Sequence, residues 1–279
     1  MSQVVARKTE ARFSLFLFLL TVGLSLAGFL AALALLAPTV WKTQFAAGFW
    51  TLVGVFVVVH LFNGFVEYFF HRYVLHARLI PGLGHFYTQH DKIHHKLTNI
   101  TWVKSVGDSG QEEMRVVNRY PIVEDRQHQA SFFPWYTFLV FGMLGTPFFI
   151  LGQWLFPGAP VFLGGFAALA WSLALYEILH AFEHLPLESW TPRLNHPRFG
   201  WFWRKVYAFH LRHHADISSN EAISGFFGLP VGDWVFGTYV GAVTLYENEA
   251  IAEQSAFQSP TSRFIRWLDK LAEKKKRRL

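Results

Sequence analysis

The sequence predicts an all-α integral membrane protein: four transmembrane helices in two hairpins, with a cytoplasmic, helical, histidine-rich cap. Three observations carry that expectation. Of 279 residues, 52% are apolar and only 16% are charged, which is too oily for a soluble domain of this length. Uncharged runs long enough to cross a bilayer recur along the chain. Ten of the fourteen histidines fall in four short clusters beside those runs.

The first span is expected over residues 13–37, which hold 25 positions without a charge. A hydrocarbon core of about 30 Å needs roughly 20 such residues in a helix. The run is too long for the apolar part of a cleaved leader, and Ala37-Pro38 is a poor cleavage site, so it reads as a span. The second span is expected over 44–70, interrupted by His60 and Asn63. Continued as helix to His76 it would be roughly 50 Å long at 1.5 Å per residue, so its last turns would project beyond the membrane. From Gln127 to Tyr176 there is no Asp, Glu, Lys or Arg, and Pro157-Gly158-Ala159-Pro160 breaks the run. It therefore divides into spans at 132–156 and 160–180.

The segments 71–131 and 181–250 are expected to form a metal-binding cap on this single membrane domain of residues 1–279. Cytoplasmic loops collect Lys and Arg. Arg7, Lys8 and Arg12 precede the first span, and the outer connections offer only Lys42. Residues 71–131 carry eight Lys or Arg, and the region after the fourth span carries thirteen. Both termini and the cap are thus expected in the cytoplasm, at the inner membrane of a bacterial cell or the endoplasmic reticulum of a eukaryotic one. The tail at 260–279 repeats Phe264, Trp267, Leu268 and Leu271 at helical spacing among Arg and Lys. Two readings stay open for it: a basic amphipathic helix on an anionic membrane surface, or a helix packed on its own domain.

Cysteine is absent, which excludes disulfides, thiolate metal sites and a cysteine nucleophile. Histidine is then the plentiful ligand type. "HRYVLH" places His71 and His76 at the end of the second span. "HDKIHH" supplies His90, His94 and His95. "HAFEH" places His180 and His184 at the end of the fourth span, and "HLRHH" supplies His210, His213 and His214. Residues three and four apart share a helix face, so His180/His184 and His210/His213/His214 are each expected to aim at one point. His90 and His94 should share a face, with His95 turned about 100° away. The five-residue gap between His71 and His76 gives diverging directions unless the helix unwinds there. Ten ligands in diverging sets suit two metal ions better than one.

Ligating histidines usually donate their second N–H to a carboxylate or carbonyl. Glu67 and Asn63 precede His71 on one face, and Glu177 precedes His180; with Asn220 they are the candidates for orienting the ligands. Glu183, Asp91 and Asp216 also neighbour the clusters, without an assignment by spacing. His60, nearly on the face of His71 but deeper, has two readings: the lining of a lipid channel or, in preference, a neutral, hydrogen-bonded buried group. His85, His128 and His196 are expected in loops.

At these clusters the sequence resembles the fatty acid hydroxylase/sterol desaturase superfamily of integral membrane enzymes. The order of "HRYVLH", "HDKIHH", a membrane hairpin, "HAFEH" and "HLRHH" is similar, as is the later "GDWVFGTY", and the likeness runs from about residue 60 to 240. The resemblance implies a non-haem centre of two iron ions held by the ten cluster histidines, with dioxygen as co-substrate. It implies oxidation of an unactivated C–H bond of a lipid within the membrane, with hydroxylation favoured over desaturation by the cluster spacing. A separate electron-donor protein of the cytochrome or ferredoxin/reductase type is expected, because no carrier domain is fused. No nucleic-acid partner is expected. The rival classes are a metal transporter or store, whose ligands belong near the bilayer midplane, and a bis-histidine haem protein. The segment 106–131 looks longer than usual in the family, and two readings stay open for it: a cover that shapes the substrate, or an ordinary surface loop.

Overall fold

A computed structural model describes residues 14–279 except 81, 108–109, 242–244, 246, 253, 261 and 277–279. Helix α1 spans Leu15–Leu36 and α2 spans Pro38–Ala46. Helix α3 runs Phe49–Phe70 and passes directly into a π-turn at His71–Leu75. After α4 (Gly84–Tyr87), a second π-turn (Thr88–His94) leads into α5 (His95–Leu97). Strands β1 (Ile100–Val106) and β2 (Glu112–Asn118) form an antiparallel pair with Ile100 opposite Asn118. Then come α6 (Asp125–Ser131), α7 (Thr137–Leu155), α8 (Val161–Glu183), α9 (Leu187–Leu194), α10 (Gly200–Ala215), α11 (Val231–Phe236) and α12 (Arg263–Lys276).

Among the described residues, four helical stretches are long and apolar enough to cross a membrane: Leu15–Leu36, Phe49–Leu75, Thr137–Leu155 and Val161–Glu183. They match the four uncharged runs, with differences at their starts. Residues 38–46 form a separate helix, with Pro38 at its first turn where a missing N–H costs nothing. Gly48 then takes φ 78°, a conformation that side chains disfavour, so the second long helix begins at Phe49 rather than near 44. Pro134 holds the third back to Thr137.

Helix α8 is the hub, packing against α1, α3 and α7. Its glycines permit this: a Cβ on Gly164 would meet Val55 of α3 at 2.7 Å. Two buried amides tie one end of the bundle. Gln44 donates to Gln153 at 2.9 Å and accepts from the Leu163 N–H at 3.1 Å, while Gln153 donates to the carbonyls of Pro157 and Ala159 at 3.0 Å each. Buried amides far from water must be paired in this way.

The histidines occupy the other end, with the two-stranded sheet beside them. A wholly helical cap is therefore corrected. "ITWVKSV" and "EEMRVVN" are rich in β-branched residues, and the chain reverses between them with the Gly107 N–H bonded to the Gln111 carbonyl at 2.9 Å. A later segment lies along β2, the Val116 N–H reaching the Ala250 carbonyl at 2.9 Å. Ile100, Val116, Tyr120, Trp190, Tyr207 and Leu211 close a core between sheet, α9 and α10.

Candidate metal centre

The ten cluster histidines gather into two buried groups of five. One holds His71, His76, His90, His95 and His213; the other holds His94, His180, His184, His210 and His214. Within each group every histidine offers a nitrogen, and all five nitrogens lie within 4.8 Å of one another. The groups abut. The rings of His95 and His214 stack at 4.0 Å, 10° from parallel, and those of His90 and His94 are 5.2 Å apart.

Local backbone explains the membership, and corrects the expected facing. In a π-turn the N–H bonds five residues back, so residues five apart, which diverge on an α-helix, come into line. The His76 N–H reaches the His71 carbonyl at 3.1 Å, and the His95 N–H reaches the His90 carbonyl. Hence His71 and His76 join one group, and His90 pairs with His95, their Nε2 atoms 3.3 Å apart. His94 faces the other group instead of sharing a target with His90. On α10, His210 and His214 are one turn apart and serve one group. His213, about 100° round the helix, serves the other, so the "HLRHH" cluster divides.

Hydrogen bonds fix which ring nitrogen looks inward. Nδ1 of His71 donates to the Glu221 carbonyl at 2.6 Å, that of His213 to the Ser219 carbonyl at 2.7 Å, and that of His184 to the Tyr120 carbonyl at 2.9 Å. Nδ1 of His76 donates to the Asp91 carboxylate at 3.1 Å. Ser131 Oγ gives its own proton to the Gln127 carbonyl, so it accepts from His94 Nδ1 at 2.6 Å. Thr98 Oγ1 likewise donates to the His94 carbonyl and accepts from His214 Nδ1 at 3.2 Å. A neutral imidazole carries one N–H, so the Nε2 atoms of these six rings are lone pairs.

Those lone pairs point at one another. His76 Nε2 lies 3.0 Å from His213 Nε2, with no proton on either to bridge them. His184 and His214 both place Nε2 at 3.1 Å from His210 Nε2, which has at most one proton to give. His71 and His90 face each other at 2.9 Å. His94 Nε2, His210 Nδ1 and both nitrogens of His180 are buried without a hydrogen-bond partner. Unpaired buried acceptors are costly. A cation at the focus of each group would relieve the facing Nε2 contacts, His94 Nε2 and one nitrogen of His180, leaving His210 Nδ1 and the second His180 nitrogen unpartnered. Two imidazole nitrogens at right angles about a metal at ~2.1 Å stand roughly 3.0 Å apart, which is the spacing seen. Each group could therefore hold a metal ion.

Burial keeps the donors unprotonated. It pushes His184 and His213 down to about 3. Desolvation also takes His76, His90, His94, His95, His210 and His214 well below the usual imidazole range, and their neighbouring imidazoles add to it. All ten donors are neutral nitrogens, so a bound ion would keep its full charge and its electrophilicity. Metal-ligand imidazoles are ordinarily neutral.

Of the four expected orienting residues, Glu67 and Asn220 act one step removed, while Asn63 and Glu177 make their hydrogen bonds elsewhere. Glu67 bonds no histidine; it accepts from the Ser224 N–H at 2.7 Å and from the Ser224 hydroxyl. Asn220, at φ 56°, donates to the carbonyls of Phe209 at 2.8 Å and Val240 at 2.9 Å. Asp233, within "GDWVFGTY", accepts from the N–H groups of Glu221 and Ala222 at 2.9 Å each. Together they hold the 219–225 segment, whose Ser219 and Glu221 carbonyls orient His213 and His71. Asn63 donates to Ser172 at 3.1 Å, and Glu177 accepts from the Phe133 N–H at 2.8 Å. The direct partners Ser131, Thr98 and the carbonyls of Tyr120, Ser219 and Glu221 had no signal in the sequence.

His60 is buried and hydrogen-bonded as expected. It accepts from the Phe227 N–H at 3.1 Å, so its Nδ1 donates to Ser172 at 2.8 Å. His85 lies in α4 and His128 in α6, while His196 caps the N–H groups of Arg198 and Phe199.

A cavity of about 380 Å³ opens beside the two groups, with His90 and Ser131 on its wall and Leu17, Phe18, Phe133 and Tyr176 among its lining. Comparison of the chain with protein families, curated proteins and solved structures returns no match.

Proposed function

We propose that this protein is a membrane-bound di-iron oxygenase that hydroxylates an unactivated C–H bond of a lipid. The observation that carries the reading is the pair of abutting, all-imidazole groups at one end of four apolar helices. The ten histidines would hold two iron ions, which with dioxygen and electrons from a separate donor protein would supply an oxidant strong enough for an alkyl C–H bond.

The chain's own residues do the rest. Ten neutral imidazoles present nitrogen lone pairs, and six of them are locked in orientation by Nδ1 hydrogen bonds. The aromatic cavity would bind the lipid chain in reach of His90 and keep water away from the reacting carbon. The Lys and Arg bias of the sequence supports a cytoplasmic position for the groups, where a soluble electron carrier would dock.

Lipid mass spectrometry of cells expressing the protein tests the activity. A lipid heavier by one oxygen is expected, and it should vanish in His94→Ala and His213→Ala variants that still insert in the membrane. A product unchanged in both variants removes the histidine groups from the chemistry; loss of two hydrogens instead assigns desaturation.

A further inference from the structure

The tail helix α12 has two working faces. One is docked: Ile265 is 2% exposed, and Asp269 takes a two-pronged contact from Arg72, at 3.0 Å from Nε and 2.7 Å from Nη2, plus the Tyr73 hydroxyl at 2.9 Å. The other face, roughly 140° round at 3.6 residues per turn, carries Phe264, Trp267 and Leu271, exposed by 50%, 55% and 47%. Among the described residues, only Phe236 packs a ring on that stripe, against Phe264, and about half of each of its three side chains stays open. Its flanks hold Arg263, Arg266, Lys270 and Lys274, and the helix has six basic against two acidic residues, one of which is the docked Asp269.

The position of this stripe says what covers it. Phe264 stacks on Phe236 of α11 at 5.8 Å, and Phe236 packs against Phe65, Tyr68 and Phe69 in the last turns of α3. The outward stripe thus continues the exposed apolar side of α3, which includes Phe62 and Val66, and of α11, which includes Trp234 and Val235. That is the surface a bilayer covers on a spanning helix. Apolar residues flanked by cations at that level are what an interfacial helix presents.

We infer that α12 lies on the bilayer surface beside α3, with Phe264, Trp267 and Leu271 in the acyl boundary and its basic side against anionic phospholipid headgroups. Both readings that the sequence left open then hold at once, on different faces of one helix. The seat also reaches the first histidine group. Arg72 follows His71 directly and, besides Asp269, binds Glu221 at 2.8 Å. The inference rests on the spans alone and stands or falls apart from the metal chemistry.

The chain has no cysteine, so one engineered thiol gives one label. Leu271→Cys and Glu273→Cys proteins, each spin-labelled, are placed in nanodiscs of zwitterionic lipid with or without anionic lipid. Collision with oxygen reports lipid, and collision with a nickel chelate reports water. In anionic discs the 271 label should be oxygen-rich and several-fold less open to nickel than the 273 label. Replacing Lys270, Lys274, Lys275 and Lys276 by Gln should move the 271 label toward nickel. A 271 label open to nickel in both discs overturns the inference. So does one shielded from both reagents, which would mean protein covers it. A label position indifferent to anionic lipid and to the four substitutions removes the headgroup contact.

Discussion

Ser131 is the sharpest lever on the second histidine group. Its hydroxyl accepts the Nδ1 proton of His94 at 2.6 Å and is itself oriented by donating to the Gln127 carbonyl at 2.6 Å. Ser131→Ala removes the acceptor and leaves a buried N–H unpaired, at a cost of about 1–3 kcal/mol. The ring can escape that cost by shifting its proton to Nε2, which abolishes the lone pair directed at the metal. Either way the loss falls on metal affinity, and loss of such an orienting partner typically weakens binding 10–100-fold. That range is about 1.4–2.8 kcal/mol at 1.4 kcal/mol per decade, in agreement with the hydrogen-bond figure. Because His94 belongs with His180, His184, His210 and His214, only that group should suffer. The assay is elemental analysis of purified protein titrated with a chelator. The parent should release two ions per chain over a narrow range, whereas the Ala variant should release one ion 10–100-fold earlier and keep the other. Ser131→Thr, which retains the hydroxyl, should behave like the parent. Equal weakening of both ions, or no change, would refute the assignment of His94 through Ser131 to the second group.

Acid should unfold the protein through its histidines. His184 and His213 titrate near 3 when folded against 6.5 when free, so between those values the unfolded chain binds more protons and stability rises with pH. Thermal melting in detergent should give a constant Tm above pH 6.5 and a falling one below it, and a flat profile down to pH 4 would contradict the buried neutral state. Arg72→Met leaves the fully buried Glu221 carboxylate without its guanidinium partner, whereas Asp269→Asn breaks only a contact whose acidic side chain is 35% exposed. Breaking a buried pair costs about 3–5 kcal/mol and a partly exposed one about 1 kcal/mol or less. Arg72→Met should therefore lower Tm clearly more than Asp269→Asn, and Glu221→Gln should restore part of the loss. Equal shifts would mean that Glu221 is not held as a charge.

The elements that sequence reveals best here are those with the simplest cause. Length without charge locates four long apolar helices, because a bilayer tolerates no other composition in bulk. Their starts are harder: Gly48 acts through φ, and nothing in "FAAGFW" separates a break from a continuing apolar helix. The ten histidines are visible as clusters, yet their grouping is not. Their grouping depends on two π-turns, and a spacing of five reads as divergence on an α-helix and as alignment on a π-turn. The β1–β2 pair carried a strand signal in "ITWVKSV", masked by its place between helical segments. The orienting partners are mostly main-chain carbonyls, which have no residue signature. Glu67 and Asn220 attracted notice for being polar near the clusters, and their use is to fix the segment that supplies two of those carbonyls.

The grouping also has a consequence for assembly. The first half of the chain supplies His71, His76, His90 and His95 to one group, and His213 completes it from the second half. The second half supplies His180, His184, His210 and His214 to the other, and His94 completes that one from the first. Each half thus lends one histidine to its counterpart. The loans come from adjoining positions: His94 sits next to His95, and His213 next to His214, and the rings of His95 and His214 stack where the groups meet. Neither set of five can close until the 88–97 segment and α10 have come together. Metal binding in a site of this kind adds its free energy to folding, so an ion in either group would act as a clasp between the two halves of the chain, joining the 88–97 segment to α10. Emptying one group should loosen the contact between the two halves rather than one half alone, because in each group the fifth ligand comes across from the other half.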